Sequence, residues 1–526
     1  MTTARAPHPA PWPLLDLDVA EIRAAGNQAV PFRQFILKVH SRCNLSCSYC
    51  YVYEMADQGW QSLPKRMSAD VAVKTIERIA EHADRHRLTS VDVILHGGEP
   101  LLAGAEWLAG LVTPLRSRVP AQVNVTLQTN GTLLDRAMLT QLQDLGIRIG
   151  VSLDGDAEAT GRHRRQANGR NSFDAVAAGL DQLRSPEFRD CYGGILCTID
   201  VQNDPVTTYE ALLKFAPPAI DLLLPHANWS CPPPGQGYAD WLISVFDRWY
   251  AAPRQETRIR LFSELIQLVL GHPGEVEGLG LLPSTLVVVD TDGSIKQLDS
   301  LSSAYPGAAD MGLDVRSGGF DEALEHPTTV ARQIGTAALA AECLACPVVD
   351  ICGGGLYPHR FRQGEGFRNP SVYCQDLLRL IGHVRERVLT DLSMLLGLPF
   401  VRFDFRGQPG APRRRPRLGM LQGERPLVPA EHLGEAPLPP GFHLGSAVPR
   451  GHLVPGQVGS RHQRVRVIMA KIQAAVVERF PAEVDRLAEP SGERGEVGGV
   501  VDVGRQGEQV PVAVDLDEPS PGLVVV

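Results

Sequence analysis

No run of apolar residues in the 526-residue chain is long enough to cross a bilayer, so no membrane span is expected. The N-terminal stretch "MTTARAPHPAPWPLLDLDVAEIRAAG" is rich in Pro and Ala. Asp16 and Asp18 interrupt its only apolar patch, which makes it a poor signal peptide. Positive charge is short as well. Lys and Arg number 51 against 60 Asp and Glu, and a net charge of −9 argues against a general nucleic-acid binder. From about Phe403 to Val526 there is no Thr, Asn, Tyr, Trp or Cys, and Lys471 is the only lysine. Gly, Pro, Val and Arg dominate there, apart from one helical-looking piece, "VRVIMAKIQAAVVERF". Residues 398–526 therefore read as a disordered or degenerate tail, a composition that a frame error in a GC-rich coding sequence would also give. With no export signal, the expected location is cytoplasmic. In a reducing compartment clustered cysteines read as metal or redox sites rather than disulfides.

The ten cysteines are not scattered. Cys43, Cys47 and Cys50 form C-x3-C-x2-C, while Cys343, Cys346, Cys352 and Cys374 form a second group. Three is an odd number for a closed site. A 4Fe–4S cluster on three thiolates keeps one iron free of protein, and that iron can chelate the amino and carboxylate groups of S-adenosylmethionine. Two other readings stand beside it: His40 as a fourth ligand of a closed H-x2-C-x3-C-x2-C zinc site, or merely buried thiols. The second group supplies four ligands, hence a closed iron–sulfur or zinc site. Cys191, Cys197 and Cys231 read as packed or partly exposed thiols.

The fold class is α/β. Six β-rich runs, "FRQFILKVH", "VDVILH", "VNVTLQT", "IRIGVSL", "GGILCTI" and "IDLLLPH", alternate with segments of helical spacing between Phe32 and about Ala227. Ser68 is placed to N-cap one helix and Gly146 to end another. Such alternation implies parallel strands with right-handed crossovers, an incomplete (β/α)6 barrel of the TIM type or an open sheet. The cysteine triplet, "HGGEP", "QTNGT" and "SLDGD" follow the first four strands in turn. In parallel α/β folds the carboxyl ends of strands face the ligand, so these motifs converge on one rim. A helical bridge follows from Asp240 to Leu270, leading out of the barrel. The hairpin "STLVVVDTDGSIKQLDSL" turns at Asp292-Gly293. A helix runs from about Asp376 to Leu396, with Gly397 as its C-cap. The expected units are a flexible segment 1–30, a barrel 31–235, a bridge and hairpin 236–335, a cluster domain 336–397 and the tail.

C-x3-C-x-aromatic-C after a first strand, with Tyr49 as the aromatic, together with a GGEP-type second motif, resembles the radical S-adenosylmethionine superfamily. The resemblance implies that Gly97, Gly98 and Glu99 bind the methionyl amino group and that Thr129 and Asn130 line the adenosyl pocket. It also implies that Ser152 and Asp154 lie near the carboxylate and ribose, and that Arg164 or Arg165 pairs with the carboxylate. These roles suit the chemistry: Glu accepts from an ammonium and Arg forks onto a carboxylate. Cys343, Cys346, Cys352 and Cys374 resemble the outer-cluster ligands of the SPASM extension. The inner cluster's ligands are missing, since the hairpin has no cysteine and Leu356 stands where one is expected. One auxiliary 4Fe–4S cluster is therefore expected. "FRQFILKVHSRCNLSCSYCYVYEMADQGW", "LLLPHANW" and "CPVVDICGGGLYPHRF…NPSVYC" resemble the FxsB-type radical SAM/SPASM peptide maturases over about residues 31–390. What this implies is carbon–carbon, cyclophane-type crosslinking of a small ribosomally made precursor peptide, with an electron donor such as flavodoxin or ferredoxin. Neither nucleic acid nor membrane is an expected partner. The tail has no H-E-x-x-H, so the metallohydrolase activity of some relatives is not expected. A sulfatase-maturing, formylglycine-forming oxidase is the rival enzyme, and a non-catalytic iron–sulfur or zinc peptide-binding scaffold the rival of another class. No catalytic base is identified; Asp290, Asp292 and Asp299 are positional candidates.

Overall fold

The computed structural model describes residues 11–396 apart from residue 275. The expectations for residues 1–10, for the cap at Gly397 and for the tail lie outside the described residues. Ten strands make one sheet: β1 (Gln34–His40), β2 (Ser90–Gly97), β3 (Gln122–Thr129), β4 (Arg148–Ser152), β5 (Tyr192–Thr198), β6 (Ala219–Leu223), β7 (Arg258–Ile259), β8 (Leu286–Val289), β9 (Ser294–Lys296) and β10 (Asp310–Asp314). Their order is β10-β9-β8-β1-β2-β3-β4-β5-β6-β7. Strands β1 to β6 are the six expected from the sequence, each parallel to its neighbour. With helices such as Ala69–Arg85, Ala105–Arg118 and Phe173–Leu183 between them, they form an incomplete (β/α)6 barrel.

Local chemistry sets the helix starts. Ser68 Oγ accepts from Val71 N (3.2 Å), and Asp135 and Asp204 do the same for Met138 N (2.8 Å) and Thr207 N (2.7 Å). Period-two alternation sets the faces. Phe35, Leu37 and Val39 of β1 point outward and pack with Ile76 and Ile79 of helix Ala69–Arg85. Ile36 points inward and meets Ile94 and Val288 in a second core below the rim. Each such fully buried side chain contributes about 1.5–3 kcal/mol relative to exposure.

Three regions differ from expectation. The hairpin does not lie outside the barrel: β8 pairs parallel with β1, Gln34 opposite Leu286 through Leu37 opposite Val289. The physical reason is the run "LVVV", buried at all four positions, which fits a strand covered on both faces. The helical bridge is two helices, Tyr238–Ala251 and Arg260–Val269, with β7 extending the β6 edge between them. Residues 11–30, expected to be flexible, are tied down. Trp12 is buried, its carbonyl accepts from Phe367 N (3.3 Å), and Arg23 pairs with Glu325 (3.0 Å). Helix Cys374–Leu396 buries Leu380, Ile381, Val384 and Val388 in the outer core that also holds Phe246 and Phe262 of the two bridge helices. Among the described residues no helix is long and apolar enough to cross a membrane.

Candidate functional site

The loop after β1 carries Cys43, Cys47 and Cys50, all partly exposed and none in a disulfide. Within it, Leu45–Cys47 pairs antiparallel with a short strand, Arg164–Gln166, from the loop after β4. The end of β2 slides beneath the same loop: Gly98 N donates to His40 O (2.8 Å) and Glu99 N to Arg42 O (3.0 Å). A Cβ at Gly98 would stand 1.9 Å from Tyr53 Oη and 2.5 Å from the Arg42 carbonyl, so only glycine permits this approach. The GG pair is thus explained by its packing against the cysteine loop, before any ligand is considered.

These elements enclose a cavity of about 150 Å³ lined by Cys43, Cys47, Cys50, Gly97, Gly98, Thr129, Asn130, Ser152 and Arg164. Three expected residues do not line it. Glu99 is fully buried, and its carboxylate accepts from Thr129 Oγ1 (2.7 Å), Asn130 N (2.8 Å) and Leu101 N (3.0 Å). It braces the ends of β2 and β3 rather than facing the cavity. Asp154 accepts from Tyr49 Oη (2.5 Å) and Thr198 N (3.1 Å), one layer behind the wall. Arg165 is exposed and donates to the Gly169 carbonyl (3.1 Å), because neighbours on a strand point to opposite sides. Arg164 is the arginine that faces in. Its guanidinium donates to Tyr49 Oη (3.0 Å), and its buried Nε has no partner among the described residues.

The strands also supply lining residues to which the sequence reading gave no role: His96 and Gln128, which open the HGGEP and QTNGT motifs, Leu196, Thr198 and Leu223, with His226 just past β6. Gln128 Nε2 donates to Ser152 Oγ (3.0 Å). His96 and His226 each leave a buried Nδ1 unbonded, and burial pushes both rings down to about 4. Burial pushes the Cys43 thiol up to about 12 and that of Cys50 up to about 11.

The acidic candidates separate. Asp299 accepts from Tyr51 Oη (3.2 Å) and Lys38 Nζ (3.2 Å), directly behind the cavity-lining Tyr51. Asp290 is held between Lys38 (3.6 Å) and Lys296 (3.2 Å). Burial raises its carboxyl, but the two ammonium groups outweigh that and leave it below the usual range. Asp292 caps the hairpin turn through Ser294 N (3.0 Å) and Ser294 Oγ (2.6 Å), and the Arg316 side chain reaches its carbonyl. It takes no part in the cavity.

Among the described residues, the one set of three His, Cys, Asp or Glu ligand atoms within 4.8 Å of one another is His82, His86 and Asp321, on the outer helix layer. Neither the triplet with His40 nor the second cysteine group forms such a set of three. His40 Nδ1 is also turned onto its own loop, accepting from Arg42 N (3.2 Å).

Residues 37–212 match the Radical SAM superfamily model. This chain carries a radical SAM domain. It is therefore an enzyme, and the cofactors of its radical SAM domain are a 4Fe–4S cluster and S-adenosylmethionine. The cysteine-type anaerobic sulfatase-maturating enzyme of Clostridium perfringens (strain 13 / Type A) is 28% identical over 380 residues, 68% of this chain and 98% of that one. The serine-type enzyme of Bacteroides thetaiotaomicron is 22% identical over 393 residues, 68% of this chain and 90% of that one. Among solved structures, native anSMEcpe with bound AdoMet superposes with a TM-score of 0.58 at 21% identity, covering 67% of this chain and 97% of that chain. The radical SAM cavity fits its cofactors on its own chemistry: three thiols on one rim, and beside Cys47 a buried arginine with an N–H to spare.

Proposed function

We propose that the protein is a radical SAM peptide maturase that oxidises a residue of a small precursor peptide by carbon–carbon, cyclophane-type crosslinking. The observation that carries it is the cavity joining the three cysteines to Arg164 and to the polar inner ends of the strands. In this reading Cys43, Cys47 and Cys50 hold the cluster. When bound, it supplies one electron to S-adenosylmethionine, which yields methionine and a 5′-deoxyadenosyl radical. Arg164 forks onto the methionyl carboxylate, held in place by Tyr49, which Asp154 anchors in turn. Backbone groups at Gly97 and Gly98 receive the amino group, and Gln128 and Ser152 meet the ribose hydroxyls. Glu99, Thr129 and Asn130 keep those strand ends in register. Removing two hydrogens from the peptide leaves one as an atom on 5′-deoxyadenosine; the other leaves as a proton and an electron. Asp299, behind Tyr51, is the proton acceptor of this reading. Cys343, Cys346, Cys352 and Cys374 would hold an auxiliary 4Fe–4S cluster, which would supply the acceptor for that electron.

A second reading, formylglycine formation, is favoured by the sulfatase-maturating relatives that align with 68% of this chain. The cysteine-free hairpin, which leaves four clustered cysteines for one auxiliary site, favours crosslinking. Anaerobic incubation with the precursor peptide encoded beside the gene separates the two. Crosslinking gives a peptide lighter by two hydrogens that does not fragment between the joined residues, with 5′-deoxyadenosine alongside. An aldehyde that traps with hydrazine hands the case to formylglycine, and a peptide of unchanged mass overturns both.

A further inference from the structure

Among the described residues, one buried cation of the C-terminal part makes no ion pair: the carboxylate whose charge reaches it, Glu277, is bonded to Arg332. Arg360 ends the short helical turn Tyr357–Arg360 and is 9% exposed. Its Nε donates to Gly355 O (3.2 Å), and one terminal nitrogen donates to Gly353 O (2.7 Å) and Gly355 O (2.7 Å). All three bonds end on backbone carbonyls, and no carboxylate among the described residues pairs with it. The contrast is Arg332, equally buried, whose charge is met by Glu277 at 2.6 Å. A guanidinium taken out of water without a counter-charge is costly and persists where an anion is near.

The backbone around Arg360 is shaped for it. Gly353, Gly354 and Gly355 follow Cys352 directly and take φ of +59°, +85° and +75°, a run of left-handed residues that only glycine sustains. The run curls the chain leaving Cys352 around the guanidinium, so that a Cβ on Gly354 would lie 3.0 Å from Arg360 Cζ. Gly353 is also pressed onto the Gly280 carbonyl, 1.6 Å from where its Cβ would be, which fixes the loop from its other side. The charge is therefore anchored one residue from Cys352.

We propose that Arg360 is the counter-charge of the four-cysteine site, and that it raises the reduction potential of the auxiliary cluster held there. The proposal rests on the iron–sulfur reading of that site given above. A cluster bearing four thiolates is anionic in both redox states and more so when reduced. A fixed cation in a low-dielectric surrounding therefore favours the reduced form. Its chemical role is to let the site accept the electron left over from peptide oxidation. Arg360 is in this sense a tuning residue, not a catalytic one.

The test is a potentiometric titration followed by electron paramagnetic resonance. It uses the full-length protein carrying Cys43→Ala, Cys47→Ala and Cys50→Ala, so that only the C-terminal signal remains. Arg360→Gln is expected to keep its iron and to shift the midpoint downward, beyond the scatter of replicate titrations, and Arg360→Lys to restore it. An unchanged midpoint in Arg360→Gln overturns the proposal. If Arg360→Gln cannot hold the cluster, Arg360→Lys decides. Retained iron with a near-parental midpoint supports the charge; loss of iron in both means that the bonds to Gly353 and Gly355 are what matter, and overturns it. If the parental triple variant carries zinc and no reducible signal, the iron–sulfur reading of the site itself has failed, a result distinct from any behaviour of Arg360.

Discussion

At the scale of single residues, parity decides function. Arg164 and Arg165 are equivalent in the sequence, yet the short pairing with Leu45–Cys47 turns one into the cavity and the other to solvent. That pairing spans more than a hundred residues and leaves no local periodicity, so the choice between them was not legible. Arg164→Lys keeps the charge but cannot fork, losing a charge-assisted bond of about 1.5–3 kcal/mol. We expect S-adenosylmethionine to bind about 10- to 100-fold more weakly, measured by equilibrium titration, while Arg165→Lys changes nothing. Glu99 shows the converse. Its place in GGEP suggested a ligand contact, whereas its carboxylate also takes three donors, from Leu101, Thr129 and Asn130. His96 and His226 carry a pH consequence. Burial holds both near 4, below the ~6.5 of an unfolded histidine. Between those values the unfolded chain binds protons that the folded chain refuses. Stability is then lost as pH falls from about 6.5 through 4, up to about 3 kcal/mol for each histidine by the lower end. Urea midpoints of the cluster-free protein at pH 7 and pH 5 should show the decline, and His226→Leu should lessen it by that histidine's share.

At the scale of elements, the six parallel strands and the convergence of their loops were readable because apolar runs bounded by helix caps are local signals. The triplet, the GG pair, Thr129, Asn130 and Ser152 meet on one rim as that reading requires. What was not readable is how tightly the elements touch. The β2 end lies so close under the cysteine loop that Gly98→Ala must displace both the Tyr53 hydroxyl and the Arg42 backbone. We expect that variant to fall from about eight to about four iron per reconstituted chain, the C-terminal group still loading. Iron and sulfide analysis beside the parent checks it, and an unchanged count would show that the loop shifts without losing its grip. The hairpin was located correctly and its turn at Asp292-Gly293 holds, with Gly293 at φ +95°. Its attachment to β1 depends on an edge far away in sequence, which no window of residues reports.

At the scale of the whole molecule, the expected boundary at residue 235 does not divide the sheet. β1, the strand that leads into the cysteine loop, is flanked on one side by β2 and on the other by β8. Lys38 on β1 is 4% exposed, and both of its carboxylate partners, Asp290 and Asp299, arrive with or after the hairpin. A chain ending at residue 285 therefore carries a buried ammonium without a counter-charge and an open apolar edge. We expect it to be insoluble where a chain ending at residue 396 is soluble, judged by partition after expression at low temperature. A soluble, iron-binding 1–285 fragment would show that the barrel closes without its late strand.

The same pairing has a meaning in time. A ribosome adding about 5–20 residues per second takes on the order of ten to fifty seconds to pass from β1 to β8. Through that interval the strand leading to the cysteine loop has its template-like edge bare, and the three thiols stand on an unfinished support. The order of synthesis thereby sets an order of support: the sheet beneath the three thiols is complete only once the late strand has been made.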